Sequence, residues 1–256
     1  MSIMQKRGQV SVFFIVGLVA IAAIIFVFFL FRGFQDKARE ITNPKEYLRS
    51  QIDDIKRVVV KCIDDSSKNA LSKISLQGGH FNPTRYTDYY GNKVSFLCYK
   101  IRDNEDCYNV MFTRSEIASE IAPILESDVK KCLNNGILPF RNKDYRLTTG
   151  NIEFNFDFTD EALLVSLNYP ITLTKNNIIE TQNIFRRETK TDFWKSARIT
   201  SDIINIEARG EIYDVATESP KNLYFEIGRS QIEGGNLYTI VSRKNRNEVF
   251  YFAVEK

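Results

Sequence analysis

The sequence contains a single histidine and none of the motifs by which common enzyme active sites are recognised. His80 follows Gly78 and Gly79, and no G-x-S-x-G nucleophile elbow accompanies it, so we interpret it as a structural loop residue. The glycine pairs lack the G-x-G-x-x-G or G-x-x-x-x-G-K-[ST] context that binds phosphate. The sequence therefore predicts a protein that is not an enzyme, with no catalytic residues and no cofactor, and an enzyme tethered to a membrane is the less favoured alternative.

Metal ligands and clustered positive charge are also scarce. No C-x-x-C pair or histidine-rich spacing is present, so we predict no metal site. The 256 residues include 35 Lys and Arg against 32 Asp and Glu, a net charge of +3. Duplex nucleic acid is usually bound by clustered basic residues, so no nucleic-acid partner is predicted. The short sequence RKNR, residues 243–246, is interpreted as a solvated hairpin turn, with a contact to a polyanion or lipid headgroup as the alternative.

Acidic residues occur in pairs, but their spacing does not suit catalysis. Two copies of IDD place Asp53, Asp54, Asp64 and Asp65 in one predicted helix. Neighbouring residues of a helix point about 100° apart, so these carboxylates do not converge. We interpret them as part of a solvated helix face.

What the sequence does contain is a long apolar run near its beginning. Residues 10–31 carry no charge, and Ser11 is the only polar residue among them. As a helix this run would be about 33 Å long, against a hydrocarbon core of about 30 Å. It ends in FVFFLFRGF rather than in the small residues of a signal-peptidase site, so we predict a retained transmembrane helix. Basic residues flank it on both sides, so charge alone does not decide its orientation.

The motif KRGQVSV at the start of this run resembles the class III signal peptide of archaeal type IV pilin-like proteins. The resemblance implies that Lys6 and Arg7 are the cytosolic recognition residues. It also implies that a prepilin-type peptidase cuts between Gly8 and Gln9, with Ser11 matching the serine of that family. The expected protein is then an archaeal, single-pass protein of the cell membrane, held in the lipid bilayer with its C-terminal domain extracellular.

The resemblance leaves two functions open. One is a surface protein for adhesion, envelope organisation or partner binding. The other is a pilin-like subunit that is cleaved after Gly8 and assembles with other surface or pilin-like proteins through its apolar helix. Phe13 stands where that family usually carries Glu. An amino terminus without that carboxylate is costly to bury in an apolar bundle, so Phe13 favours the surface protein.

Four cysteines, an even number in a chain expected to be exported, predict two disulfides, for which three pairings exist. Cys98 and Cys107 flank a predicted turn, so a bond that closes this hairpin is the first choice. Cys62 and Cys132 would then join two amphipathic helices. The alternative for this second pair is two buried free thiols.

Residue patterns after the apolar run indicate both helices and strands. Apolar residues recur at steps of three or four from Leu48 to Ile63, which predicts an amphipathic helix capped by Asn43. Similar spacing predicts helices near residues 115–136 and 191–216. Strict alternation on either side of TDEA predicts an antiparallel hairpin, and a further hairpin is predicted to turn at residues 246–247.

These patterns predict the fold class α+β: an N-terminal transmembrane helix, then amphipathic helices packed on an antiparallel β-sheet. The apolar block leaves more than 200 residues, which is enough for a substantial core. The predicted division is a cytosolic basic leader at 1–9, a transmembrane helix at 10–31, a helical stalk at 32–79 and an extracytoplasmic α+β domain at 80–256.

Overall fold

The structure, a computed structural model, describes residues 15–28, 43–102 and 106–256. Residues 15–28 are helical, and these 14 residues correspond to a length of about 21 Å. None of the helices in the described ranges combines the length and the apolar character needed to cross a membrane. The predicted N-terminal transmembrane helix is therefore wrong as part of the fold class. Residues 10–14 and 29–31 of the predicted span lie outside the described residues.

Helix α1, Pro44–Ser75, is the longest regular element that the structure describes. Asn43 is its N-cap, as predicted, and its side chain accepts a hydrogen bond from the backbone N–H of Glu46. The helix ends before Gly78 and Gly79, which both have positive φ, a conformation that glycine adopts without steric cost. The Gly79 N–H donates to the carbonyl of Ile74 and so closes the last turn.

Helix α2, Arg114–Gly136, lies beside α1, and the two helices pack together. A reciprocal capping box starts α2, since Thr113 and Glu116 each accept a backbone N–H of the other. Pro123 lies inside the helix, which continues through it. The short helix α3, Leu138–Arg141, follows directly.

The first sheet packs against these two helices. Its strands are β4 (Arg146–Thr149), β5 (Glu153–Phe158), β6 (Ala162–Lys175) and β7 (Ile178–Lys190). The long strand β6 is central, because β4 and β5 share one of its sides and β7 pairs with the other. Alternate residues of β6 are buried, beginning with Leu163 and Val165, which gives the sheet the single apolar face that its sequence predicts.

The second sheet is built from the two ends of the described α+β region. In chain order its strands are β1 (Tyr86–Tyr89), β2 (Asn92–Tyr99), β3 (Tyr108–Asn109), β8 (Phe225–Ile232), β9 (Gly235–Ser242) and β10 (Val249–Glu255). The order across the sheet is β1-β2-β10-β9-β8, with β3 also on β2. Strands β2 and β10 are parallel, so this sheet is mixed.

Helix α4, Phe193–Glu207, connects the two sheets and packs on the second one. It is shorter than predicted and is followed by helix α5, Val215–Glu218, and a 3₁₀ turn at Ser219–Lys221. The ring centroid of its first residue, Phe193, lies 5.7 Å from that of Phe158 and 5.6 Å from that of Phe250. Because these two rings come from different sheets, the two layers share one hydrophobic core.

The α+β composition of the prediction agrees with this architecture, but the arrangement of strands differs from a single antiparallel sheet. The predicted hairpins are present at β2–β3, β5–β6 and β9–β10. The parallel contact of β2 with β10 joins segments about 150 residues apart, and no local pattern specifies such a pairing.

Candidate functional site

A large open cleft lies where α4 meets the entry to β8 and the loop after β9. Its volume is about 960 Å³. Positively charged, acidic and apolar side chains line it, the acidic ones being Glu161, Asp192 and Asp202. We call it the basic cleft and define it by Lys195, Arg198, Leu223, Tyr224, Arg243 and Lys244.

The apolar side of the basic cleft is unusually exposed. Leu223 is 78% exposed and Tyr224 is 74% exposed. The Asn222 side chain accepts the backbone N–H groups of Tyr224 and Phe225, at 3.1 and 2.9 Å, which holds this segment in a defined turn. Phe225 enters the core as the first residue of β8, so strand alternation directs Tyr224 to the opposite side.

The basic side of the cleft comes from the loop between β9 and β10. The backbone N–H of Arg243 donates to the carbonyl of Tyr224 at 2.8 Å, which places the basic loop beside the exposed apolar pair. Both Arg243 and Lys244 are exposed. Among residues 43–102 and 106–256, no carboxylate forms a salt bridge with either side chain. Their positive charge is therefore available to a ligand.

The cations of α4 that line the cleft already have acidic partners, although Asp160 is shared with Arg114. Lys195 lies 3.1 Å from a carboxylate oxygen of Glu161 and 3.2 Å from one of Asp192. The hydrogen bond with Glu161 raises the pKa of Lys195 despite partial burial. Arg198 is paired with Asp160 at 3.1 Å. Within the described ranges, Arg243 and Lys244 are thus the two cations of the cleft without a salt-bridge partner, and Asp202 adds a negative charge to the lining.

The exposed residue types of the cleft are typical of binding surfaces. Exposed Tyr and Arg side chains are the types that carry most of the energy of many protein interfaces. Within the described ranges, no group of three or more His, Cys, Asp and Glu residues has a geometry that could hold a metal ion. The cleft can attract a carboxylate at one end and cover an apolar group at the other.

The single histidine has a structural environment. The Nδ1 atom of His80 lies 3.4 Å from an oxygen of Glu120, and the other oxygen of that carboxylate accepts the Phe81 N–H at 2.9 Å. The imidazole packs edge-on against the Phe112 ring. These contacts join the loop after α1 to helix α2, in agreement with the interpretation of His80 as a loop residue.

The predicted disulfides are present. Cys62–Cys132 joins α1 to α2, with the two Cα atoms 5.7 Å apart. Cys98–Cys107 joins β2 to the residue before β3, with a Cα separation of 5.2 Å. All four cysteines are therefore oxidised. The other predicted site residues are Lys6, Arg7, Gly8, Gln9 and Ser11, which lie outside the described residues, as does Phe13.

Sequence reasoning missed the basic cleft because its parts are distant along the chain. Residues 243–246 were interpreted as a solvated turn, and the structure places the first two of them beside Leu223 and Tyr224. The one available signal was the order Leu-Tyr-Phe at a strand entry, where alternation must expose at least one large apolar side chain. Comparisons of the chain with family models, with curated proteins and with solved structures find no match. The function is therefore inferred from the geometry and charge of the cleft.

Proposed function

We propose that the described α+β region is a non-catalytic binding domain that works outside the cytoplasm and holds an acidic protein partner in the basic cleft. The observation that carries the proposal is the juxtaposition of exposed Leu223 and Tyr224 with Arg243 and Lys244, two cations that form no salt bridge within the described ranges. Large exposed apolar side chains grouped on a soluble surface favour a protein-binding role. The adjacent cations favour a segment that carries Asp or Glu.

The location outside the cytoplasm is supported by the cysteines. Every cysteine of the sequence is in a disulfide, and such bonds persist mainly in oxidising compartments. In a reducing cytosol of a mesophile, glutathione and thioredoxin would keep these thiols free. The disulfides therefore support an extracytoplasmic setting independently of the N-terminal segment.

An acidic protein segment suits the cleft better than an acidic polysaccharide. A polysaccharide bound through its carboxylates alone would need only the cations Arg243 and Lys244. The apolar pair Leu223 and Tyr224 adds a surface that excludes water around an apolar or aromatic side chain of the partner. Affinity should then depend on both halves of the cleft, with the charged half weakened by salt.

The test is binding of the full chain to fluorescently labelled poly(Glu,Tyr), an acidic copolymer with aromatic groups, in 150 mM salt. We expect binding that is weakened about tenfold by the double substitution Arg243→Ala and Lys244→Ala, and to a similar extent by Leu223→Ser with Tyr224→Ser. About 1.4 kcal/mol of lost contact energy corresponds to each tenfold change. Fluorescence anisotropy measures each dissociation constant.

The matched control is Lys130→Ala with Lys131→Ala, which removes the same charge from exposed positions on α2. This variant should bind the copolymer like the unmodified chain. If the Lys130 and Lys131 variant weakened binding as much as the Arg243 and Lys244 variant, the attraction would be non-specific and the proposal would be overturned. Equal affinity for polyuronate and for the copolymer, with no effect of the Leu223 and Tyr224 substitutions, would also overturn it.

A further inference from the structure

In the part of the chain that the structure describes, strand β7 has one unpaired edge along its whole length. Its 13 residues pair with β6 on one side. Within residues 43–102 and 106–256, no backbone hydrogen bond joins the other edge to another segment. Helix α1 packs against β7, and contacts from Arg187 and Thr189 to Asp64 show that it does so on the inner face. An uncovered strand edge of this length is a template for a further strand.

The side chains of β7 change face at the middle of the strand. Before Asn183 the even-numbered residues are the less exposed ones, and after Ile184 the odd-numbered residues are. Asn183 and Ile184 are both exposed because β6 has an extra residue opposite this point. Ile184 is 48% exposed and Ile179 is 62% exposed, so the free edge also carries apolar side chains.

This change of face makes β7 complementary to itself. In an antiparallel pair, directly opposite residues must lie on the same face of the sheet. When two copies of β7 are related by a two-fold axis between Asn183 and Ile184, every residue meets a partner of matching orientation. Any register shifted by one residue would break this match. The bulge therefore fixes the position of the two-fold axis along the strand.

Charge supports the same alignment. Opposite Glu180 stands Arg187 of the partner subunit, and the symmetry produces this pair twice. Glu180 has no ion-pair partner in the described ranges. Arg187 uses its Nε–H on Asp64, which leaves its two Nη groups for another acceptor. A bidentate fork of this kind can serve two carboxylates at once.

We propose that the chain forms a two-fold symmetric dimer in which the β7 edges of two copies pair antiparallel about Asn183 and Ile184. The first sheet then continues across the axis, and the Glu180–Arg187 pairs flank it. Such an isologous contact closes on itself and produces a dimer rather than a fibre. The basic cleft does not include β7, so the dimer presents two clefts.

The test is cysteine cross-linking of the full chain. With this axis, the two Ile184 Cα atoms lie roughly 6 Å apart, which is within the range of a disulfide. The variant Ile184→Cys should form a cross-linked species of twice the 29.6 kDa chain mass on a non-reducing gel, and dithiothreitol should remove it. The native cysteines are paired with each other and do not compete.

The matched control is Glu188→Cys, on the same strand and the same exposed face. Two copies of residue 188 would be about 31 Å apart, so this variant should remain uncross-linked. In the Ile184→Cys background, Glu180→Lys should reduce cross-linking at least fivefold, because it places a cation opposite Arg187. Glu188→Lys, which faces Ile179 of the partner subunit, should change it less than twofold. Absence of the Ile184 cross-link, equal cross-linking at residue 188, or equal effects of the two lysine substitutions would each overturn the proposal.

Discussion

At the scale of single residues, Asp64 shows most clearly what the sequence conceals. The sequence interpretation placed it on a solvated helix face with Asp53, Asp54 and Asp65, and for Asp64 this is wrong. The residue is 8% exposed, and its carboxylate contacts the side chains of Lys68, Arg187 and Thr189. Arg187 and Thr189 lie more than 120 residues further along the chain, so no local pattern could reveal them.

These contacts make the stability of the fold depend on pH. Burial by itself raises the pKa of Asp64, but hydrogen bonds from Arg187, Lys68 and Thr189 outweigh it and lower the pKa from 3.8 to about 2. A carboxyl with a lowered pKa in the folded state stabilises the fold above its unfolded pKa, and the benefit is lost as pH falls toward the folded value. The window for Asp64 is therefore between about pH 4 and pH 2.

We predict that the free energy of unfolding falls by about 2 kcal/mol across this window through Asp64 alone. Asp64→Asn should remove most of that contribution at pH 7 and flatten the dependence below pH 4. Urea unfolding at pH 7, 4, 3 and 2 measures both effects. Asp65→Asn is the control, since Asp65 is exposed and paired only with Lys61, and it should change stability by less than about 0.5 kcal/mol. A steeper loss for Asp65→Asn than for Asp64→Asn would contradict this account.

Other features of single residues could be predicted, because their causes are local. The N-cap at Asn43 and the helix stop before Gly78 follow from side-chain hydrogen bonding and from the conformational freedom of glycine. The hydrogen bond from the Tyr238 hydroxyl to buried Glu207 could not, since the two side chains meet only when α4 packs on β9. Burial, with Glu207 as acceptor, raises the pKa of Tyr238 well above its ordinary value.

At the scale of helices and strands, residue periodicity predicts the structures that segments adjacent in the chain form with each other. The alternation on either side of residues 159–161 led directly to the β5–β6 hairpin. It could not reveal that β10 joins β2 in parallel, because that choice depends on how α4 and the core rings bring the two ends together. Strand β4 was missed since four residues are too few to show a period.

The two disulfides join elements at very different sequence separations. Cys62 and Cys132 are 70 residues apart, whereas Cys98 and Cys107 are 9 apart. In the chain-entropy model a bond stabilises the fold by restricting the unfolded chain, and longer loops gain more. The bond between α1 and α2 should therefore contribute about 4 kcal/mol, and the bond at the β2–β3 hairpin about 2.7 kcal/mol.

We predict that Cys62→Ala with Cys132→Ala lowers the free energy of unfolding by more than Cys98→Ala with Cys107→Ala does. Each double variant serves as the control for the other, because both remove one bond and two sulfur atoms. Urea denaturation under non-reducing conditions measures the difference, expected at about 1 to 2 kcal/mol. An equal or reversed order would show that strain or residual structure, rather than loop length, controls these bonds.

At the scale of the whole molecule, the sequence predicted the α+β composition but neither the arrangement of the two sheets nor the surface on which the proposed function depends. The balance of 35 positive and 32 negative side chains predicted no nucleic-acid partner, yet within the described ranges Arg243 and Lys244 form no salt bridge at one side of a cleft whose other cations are paired. A net charge averages over such local differences. The membrane-spanning helix is predicted from the length and the apolar character of residues 10–31, and no helix in the described ranges has both properties.

The proposed extracytoplasmic function requires the protein to fold and remain in an oxidising compartment. Its two disulfides cross-link both the helical layer and the second sheet. The cysteines of both bonds lie in or against the hydrophobic core that the two sheets share. The oxidation state of the four cysteines in the cell is therefore the property on which the proposed location depends.

The most direct measurement is alkylation of the four cysteines in the cells that make the protein, with the alkylating reagent present at lysis and mass spectrometry of the intact chain. The account predicts no alkylation of Cys62, Cys98, Cys107 or Cys132 before reduction, and four alkylated residues after reduction. Alkylation of all four cysteines before reduction would mean that the protein resides in a reducing compartment and would contradict the proposed extracytoplasmic function.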